Sequence, residues 1–202
     1  YVRDRYDNNL RYIDDELARL FEVLDDDDTV LVLSDHGEEF WDHGDFEHGH
    51  TLYDELLRIP MILRSPGINS GRYEVPVSIL DVAPTLAQEG GVVLNEAQGW
   101  PLQSLVDGSR EVEFAARPQA FGRPLYGNRA WGSLSGNTKY ISRAGKEYQF
   151  ELSDDPQEQT NLFEDRQAAT AAMAAALDTE VSVVWRLTAN RSQQQNDLIA
   201  TL

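Results

Sequence analysis

The chain has 202 residues, and its 41% hydrophobic content is enough to bury one sizeable core, which excludes disorder over most of its length. It contains no cysteine, which excludes a disulfide scaffold, a thiolate zinc site and a cysteine nucleophile within this sequence. Its formal net charge of −18 repels nucleic acid and anionic membranes. We therefore expect no nucleic-acid partner, and no apolar run is long enough to predict a membrane span.

The acidic surplus is concentrated in the first 60 residues, where Asp25–Asp28 is the densest patch. Lys139 and Lys146 are the only lysines in the sequence. Many carboxylates and few lysines predict the surface of a halophilic protein, because concentrated salt screens the repulsion between like charges. An ordinary acidic surface is the alternative. The lack of an export signal at the start of the sequence predicts a cytoplasmic location.

Helices and strands alternate in the predicted structure of the first part of the chain. Apolar residues at spacings of three and four predict an amphipathic helix over 4–24, and the β-branched run over 29–34 predicts a strand buried on both faces of a parallel sheet. A helix that leads into such a strand indicates an α/β fold. The later pattern predicts, in order, a short helix over 51–57, a strand over 60–63 ended by a Ser65-Pro66-Gly67 turn, a strand over 75–79, a helix over 81–88 closed by Gly90 and Gly91, and a loop over 95–108.

The pattern changes after residue 110, where short apolar runs alternate with Gly and Asn turns. This is typical of an antiparallel sheet. Predicted strands cover 111–117, 131–135, 138–142 and 148–152. A turn over 153–156, an alanine-rich helix over 166–178 and a disordered tail over 191–202 complete the prediction.

All four histidines of the chain, His36, His43, His48 and His50, lie within fifteen residues of one another among six acidic side chains. Imidazole and carboxylate groups are natural ligands for a divalent cation, and oxygen plus nitrogen without sulfur suits zinc, manganese or, with mainly oxygen, calcium. Asp35 and His36 directly follow the predicted buried strand, the edge at which α/β sheets place ligands. The residues alone therefore predict a divalent metal site, and a polar loop that merely carries histidines is the alternative.

Several segments of the chain resemble, in order, the sulfatase family of the alkaline phosphatase superfamily. The resemblance is carried by Ser34-Asp-His-Gly-Glu38, Asp42-His-Gly44, His48-Gly-His-Thr-Leu-Tyr-Asp-Glu-Leu-Leu-Arg-Ile-Pro60, Ser78-Ile-Leu-Asp-Val-Ala-Pro-Thr85, Gly99-Trp-Pro-Leu102, Lys139-Tyr-Ile141 and the ending Asp154-Asp-Pro-Gln-Glu158 to Leu162. It implies the C-terminal part of an alkaline-phosphatase-like α/β sandwich with a small antiparallel-sheet plus helix C-terminal subdomain. The implied domains are residues 1–108 for the catalytic part, 109–190 for the subdomain and 191–202 for the tail.

The resemblance also implies roles for single residues. Asp35 and His36 match the metal-binding pair of the family, with calcium as the first choice of metal and zinc or manganese as alternatives. His48 matches a histidine near the anionic group of the substrate. His50 falls where many sulfatases place a sulfate-binding lysine, and His48 and His50 are therefore the catalytic candidates.

Neighbouring residues receive supporting roles in the same comparison. His43 lies in a turn that is structural in the family, and Glu38 is expected to support the site by hydrogen bonding. For Glu39 an exposed acid is the favoured interpretation, with the same supporting role as the alternative. Arg58 and Pro60 are expected to position the entry of the following strand.

The implied activity is metal-dependent hydrolysis of sulfate esters, with this chain supplying the metal-binding half of the site. The family's other metal-binding Asp pair and its nucleophile have no counterpart in this sequence, so the missing N-terminal half or a companion chain is an expected partner. The alternatives are a phosphodiesterase, a phosphonate hydrolase or a phosphoethanolamine-type transferase, or a non-catalytic fragment or split-protein half. Exposed apolar area in the isolated chain predicts aggregation or a homo-oligomer.

Overall fold

The computed structural model describes residues 1–122 and 130–164. The chain divides into a first compact unit, Tyr1–Glu47 with Arg58–Phe114, and a second unit, His48–Leu57 with the residues from Ala115 onward. The helix predicted over 166–178 and the tail over 191–202 lie outside the described residues, and the domain boundaries at residues 108 and 190 stay a prediction. Among the described residues, no helix has both the length and the apolar character that crossing a membrane requires.

Short helices and strands follow one another along the described chain. In order they are α1 (Val2–Phe21), β1 (Val30–Leu33), β2 (Glu39–Phe40), β3 (Phe46–Glu47), α2 (Asp54–Leu57), β4 (Met61–Arg64), a 3-10 turn (Ile79–Asp81), α3 (Val82–Glu89), α4 (Gln103–Val106), α5 (Glu111–Ala116), β5 (Gln119–Gly122), β6 (Ala130–Ser135), β7 (Thr138–Arg143) and β8 (Lys146–Glu151).

β1 and β4 form the two-stranded sheet of the first unit. Val30 lies opposite Arg64 and Leu33 opposite Met61, in antiparallel register. Both strands were expected from sequence, but the prediction that β1 belongs to a parallel sheet and is buried on both faces is wrong for the described residues. β1 is only half-buried. A continuous apolar run indicates that the strand is removed from water. It does not indicate the direction of the neighbouring strand.

The core of the first unit is formed by Leu102, Leu105 and Phe114, against which side chains of β1 and β4 pack. Its helices correct two predictions, because residues 103–106 are helical instead of loop and residues 111–116 are helical instead of extended. The alternation Glu-Val-Glu-Phe has the period of a strand, although these residues are helical. Phe114 is buried against Trp100 whereas Val112 is exposed, and two glutamates stand in the first turn, where the helix dipole favours acids.

The segment over 75–79 also differs from its prediction. It forms no strand, and the 3-10 turn begins at its end, at Ile79. Val75 and Val77 pack against the core of the first unit without a strand partner in the described residues. Their alternation therefore reflects one-sided burial of an irregular segment.

A buried polar network explains why the Ser78–Thr85 and Gly99–Leu102 motifs occur together. The Asp81 carboxylate accepts hydrogen bonds from the backbone N–H groups of Ser78 and Trp100, both at 2.8 Å. The Thr85 hydroxyl donates to the Asp81 carbonyl at 2.6 Å and accepts from the Leu102 N–H at 2.9 Å. These bonds fix the loop before α4 onto the start of α3, so both motifs have a structural role in this chain.

Helix α1 confirms the predicted amphipathic helix, although it ends at Phe21. None of its residues is buried, and its apolar side chains Leu10, Ile13 and Leu20 are about half exposed among the described residues. This agrees with the expected exposed apolar area. The aggregation or oligomer that we expect from it stays a prediction.

The second unit is built on a four-stranded antiparallel sheet in the order β5-β6-β7-β8. The strands predicted over 131–135, 138–142 and 148–152 are present, and β5 adds a strand that was not predicted. Leu52, Ala130, Ile141 and Phe150 form the core. Leu52 comes from the segment His48–Leu57, so this distant piece of chain is part of the core of the sheet unit.

Candidate functional site

Asp35 and His36 form a tight turn directly after β1. The Ser34 hydroxyl donates a hydrogen bond to the His36 carbonyl at 2.6 Å, and the His36 backbone N–H donates to Asp35 Oδ1 at 3.1 Å. Three consecutive residues therefore hold one another in place at the end of a strand. The turn presents both functional side chains outward, since the Asp35 side chain is 88% and the His36 side chain 43% exposed.

The imidazole of His36 is oriented by its own backbone. Nδ1 lies 2.8 Å from the carbonyl oxygen of Gly37, which can only accept, so Nδ1 carries the hydrogen in this bond. In the neutral ring Nε2 then holds a lone pair. Nε2 lies 3.8 Å from Asp35 Oδ1. A carboxylate oxygen and an imidazole nitrogen therefore lie close together.

This donor pair fits a divalent cation. Two ligands of one calcium ion lie at most about 5 Å apart, twice the usual ligand distance, and the 3.8 Å between the two atoms is within that limit. The backbone bond at Nδ1 is the kind of outer contact that orients a ligating histidine. Within residues 1–122 and 130–164, no group of three or more His, Asp or Glu side chains could hold a metal ion. Within these residues the structure therefore shows two possible donors and no complete ligand set.

The β2–β3 hairpin follows the pair and is held by a buried acid. Glu39 has no exposed surface, and its Oε1 accepts hydrogen bonds from the backbone N–H groups of His43 at 3.1 Å and Asp45 at 2.9 Å. The expectation that Glu39 is an exposed acid is wrong, because its carboxylate satisfies backbone donors of the turn. That turn contains His43 and Gly44, whose φ of 91° suits glycine.

Aromatic side chains attach this hairpin to α1 within the first unit. Trp41 stacks on Phe46 with ring centroids 4.7 Å apart, and Phe40 meets the edge of Tyr6 at 5.1 Å. Arg3 lies over the Phe40 ring at 5.1 Å. The hairpin after the Asp35–His36 turn is therefore supported by the helix that precedes β1.

His48 and His50 belong to the second unit and are partly buried there. Thr51 and Leu52, which follow them, are buried, and the Tyr53 ring meets Phe150 at 6.0 Å. Burial is the main reason why the pKa of Tyr53 is raised to about 12, so this phenol stays protonated at neutral pH. Asp35 and His36 thus lie together in the first unit, and His48 and His50 lie in the second. The functional roles of the four residues stay predictions.

The structure also places the other residues that were expected to support the site. Glu38 is partly buried, and Arg58 and Pro60 are exposed just before β4. Their supporting roles stay predictions. Sequence reasoning missed a buried ionic cluster of Asp54, Lys139 and Glu158 in the second unit. The available signal was the scarcity of lysine, because Lys139 is one of only two lysines in the chain, and the structure buries it.

The described helices and antiparallel sheets are similar in fold to part of the sulfatases of the alkaline-phosphatase-like fold. A solved 2-O GAG sulfatase matches with a TM-score of 0.65 and 23% identity over 76% of this chain and 36% of its own. The phosphonate monoester hydrolase of Agrobacterium radiobacter matches with a TM-score of 0.67 and 23% identity over 86% of this chain and 39% of its own. At this level of identity the likeness shows the fold alone.

Residues 1–92 match the Sulfatase family model. The choline-sulfatase of Rhizobium meliloti is 31% identical over 175 residues, which are 80% of this chain and 33% of that protein. The chain therefore spans about a third of the length of this curated relative.

Proposed function

We propose that this chain takes part in the metal-dependent hydrolysis of sulfate esters, with Asp35 and His36 as metal ligands and His48 and His50 as the groups that act on the ester. The observation that carries the proposal is the Asp35–His36 pair, whose donor atoms lie 3.8 Å apart inside the segment that matches the Sulfatase family model. The similarity to a choline-sulfatase supports a sulfate ester as the substrate class.

The chain's own groups have distinct tasks in this proposal. The Gly37 carbonyl keeps the hydrogen on Nδ1 of His36, so that Nε2 offers its lone pair beside the Asp35 carboxylate. A bound divalent cation supplies Lewis-acid polarisation of the ester and activates a nucleophile. As the sulfuryl group forms a bond to that nucleophile, the S–O bond to the alcohol breaks and leaves an alkoxide, to which a protonated His48 or His50 can donate a proton as a general acid.

Calcium is the metal we propose first, with zinc and manganese as alternatives. Carboxylate together with imidazole suits zinc or manganese, and calcium fits where the further ligands are mainly oxygen atoms. Two ligands do not complete any of these sites. We propose that the further ligands and the nucleophile come from residues outside this sequence, in the same polypeptide or in a companion chain.

A phosphate or phosphonate ester is the second candidate substrate. The feature that favours it is His50, which stands where many sulfatases have a sulfate-binding lysine. A histidine can recognise and protonate a phosphoryl oxygen as well as a sulfuryl oxygen. The fold leaves both open, since both kinds of hydrolase share it.

The test compares 4-nitrophenyl sulfate, 4-nitrophenyl phosphate and a phenylphosphonate monoester with one preparation of the complete natural protein. We expect the sulfate ester to be cleaved fastest, and His36→Ala to lower that rate at least about 100-fold, because a metal supplies several kcal/mol of charge stabilisation. His43→Ala is the matched control and should leave most of the rate. Faster cleavage of a phospho-ester would favour the second candidate, and unchanged activity in His36→Ala would refute the proposed metal role.

A further inference from the structure

We propose that the buried cluster of Asp54, Lys139 and Glu158 positions His48 and His50, which makes Lys139 and Glu158 positioning residues of the site. The inference rests on the proposed function for what the two histidines do. Its structural content, that the cluster fixes the segment carrying them, can be tested without any activity.

Lys139 is at the centre of the cluster. Its side chain is 1% exposed, and Nζ lies 2.7 Å from Asp54 Oδ1 and 2.8 Å from Glu158 Oε1. The ammonium group also lies 5.6 Å from the centroid of the Phe121 ring. A charge so far from water is stable only with close ionic partners, so the lysine holds both carboxylates at fixed points.

Glu158 connects the cluster to the histidine segment by a second route. Its Oε2 accepts a hydrogen bond of 2.6 Å from the backbone N–H of Asp54, the first residue of α2. One oxygen of the Glu158 carboxylate therefore pairs with the Lys139 ammonium group, and the other accepts a hydrogen bond from the backbone of the histidine segment. Asp54 is four residues after His50, and it is fixed through both its side chain and its backbone.

The turn that carries Glu158 is itself strongly determined. Glu158 has a φ of 54°, a left-handed conformation that is uncommon for a residue other than glycine. Asp155 stabilises this turn, because its carboxylate accepts from the backbone N–H groups of Gln159 at 3.1 Å and Thr160 at 2.7 Å. A strained residue persists only where its surroundings fix it. The strain is consistent with a requirement for the Glu158 carboxylate at this point.

Apolar packing alone does not account for the arrangement. Leu52 already anchors the segment in the core, and an apolar contact tolerates small rotations and shifts. Burial raises the pKa of the Glu158 carboxyl even though Lys139 opposes the rise, so keeping this group charged is unfavourable. The hydrogen bonds from Lys139 to Asp54 and from the Asp54 N–H to Glu158 are directional, and they restrict how α2 sits on the sheet.

The test replaces the lysine and reads the histidines directly. Lys139→Met removes the charge with little change in length, and Lys146→Met is the matched control at the exposed second lysine. The ring signals of all four histidines are recorded by proton–nitrogen NMR and assigned with single His→Gln variants. We expect Lys139→Met to shift the signals of His48 and His50 and to leave those of His36 and His43 in place, whereas Lys146→Met shifts none.

A second variant keeps the proposal open to refutation if Lys139→Met does not fold. Glu158→Gln retains an acceptor for the Asp54 N–H and removes the negative charge, so we expect the same two signals to shift by a smaller amount. Folding is checked for each variant by urea unfolding. A folded variant of either kind with unchanged His48 and His50 signals would overturn the proposal. If the cluster only stabilised the fold, its removal would lower the stability and leave the histidines of the folded protein in place.

Activity provides a separate readout on the complete protein. We expect Lys139→Met to change the pH profile of kcat/KM for 4-nitrophenyl sulfate and Lys146→Met to leave it unchanged. If the wild-type protein cleaves no ester, the proposed function fails and the NMR result still decides whether the cluster positions the histidines. If the esters are cleaved and the signals do not move, only the positioning role fails.

Discussion

Thr85→Val is the substitution that tests the buried network of the first unit most sharply. Valine has nearly the shape of threonine, so the change removes the hydroxyl group and keeps the side-chain volume almost unchanged. The hydroxyl makes two bonds, one to the Asp81 carbonyl and one from the Leu102 N–H, and Thr85 has no exposed surface. After the change the Leu102 N–H is buried without this acceptor.

The expected cost follows from these contacts. An unsatisfied buried N–H costs about 1–3 kcal/mol, and the bond lost at the Asp81 carbonyl adds about 1 kcal/mol. Thr85→Val should therefore lower the free energy of unfolding by about 2–4 kcal/mol. Thr85→Ser keeps the hydroxyl and loses one methyl group, which costs about 1 kcal/mol.

Urea unfolding followed by tryptophan fluorescence measures both variants, since Trp100 donates its backbone N–H to the same network. Thr160→Val, at an exposed threonine, is the control and should change stability by less than about 0.5 kcal/mol. The reasoning requires valine to be worse than serine at position 85. If serine destabilises more than valine, methyl packing dominates and the hydrogen-bond account of the network is wrong.

Three further predictions concern stability. Gly99→Ala should destabilise the first unit by about 1–3 kcal/mol in urea unfolding, because an added Cβ would lie 2.0 Å from the Leu80 carbonyl oxygen, and an unchanged midpoint would refute this. Hydrogen bonds, above all from Ser65, lower the pKa of Glu89 in the folded state, so its carboxylate stabilises the fold above its ordinary pKa and this contribution is lost as pH falls through the lowered value. Between about pH 5 and pH 3 the free energy of unfolding should therefore fall more for the wild type than for Glu89→Gln, as measured by urea unfolding at each pH. An equal fall in both proteins would contradict this prediction. If the net charge of −18 reflects a halophilic surface, the melting temperature should rise strongly with potassium chloride and not with an equally concentrated neutral osmolyte, and full stability without salt would refute it.

Local sequence patterns predicted those parts of the fold that depend on near neighbours. The helix over α1, the strand β1 and the helix α3 with its glycine end all follow from side chains a few residues apart. The direction of the β1 partner depends on a strand about thirty residues away, and no local pattern encodes it. Residues 111–116 show the same limit, because one buried side chain, Phe114, decided between helix and strand.

The candidate site likewise contains residues that near neighbours in sequence identify and residues that only the folded chain identifies. Asp35 and His36 are adjacent in sequence, and their position after a strand was sufficient to single them out. Glu39 could not be recognised as buried, because its partners are backbone N–H groups of a turn that exists only in the folded hairpin. The Lys139 cluster joins residues 85 apart in sequence, and only the folded chain reveals it.

Manganese-induced broadening of the histidine ring signals tests the central claim, that Asp35 and His36 bind a divalent cation, most directly. Manganese ions are titrated into the chain in the presence of moderate salt, and the four histidine signals are followed by NMR. Asp35→Ala is compared with Asp26→Ala, a control within the acidic patch, where manganese also collects. The account predicts that the His36 signal broadens first, that calcium reverses the effect, and that Asp35→Ala abolishes the preference while Asp26→Ala does not. Equal broadening of all four signals, or a preference that survives Asp35→Ala, would contradict it.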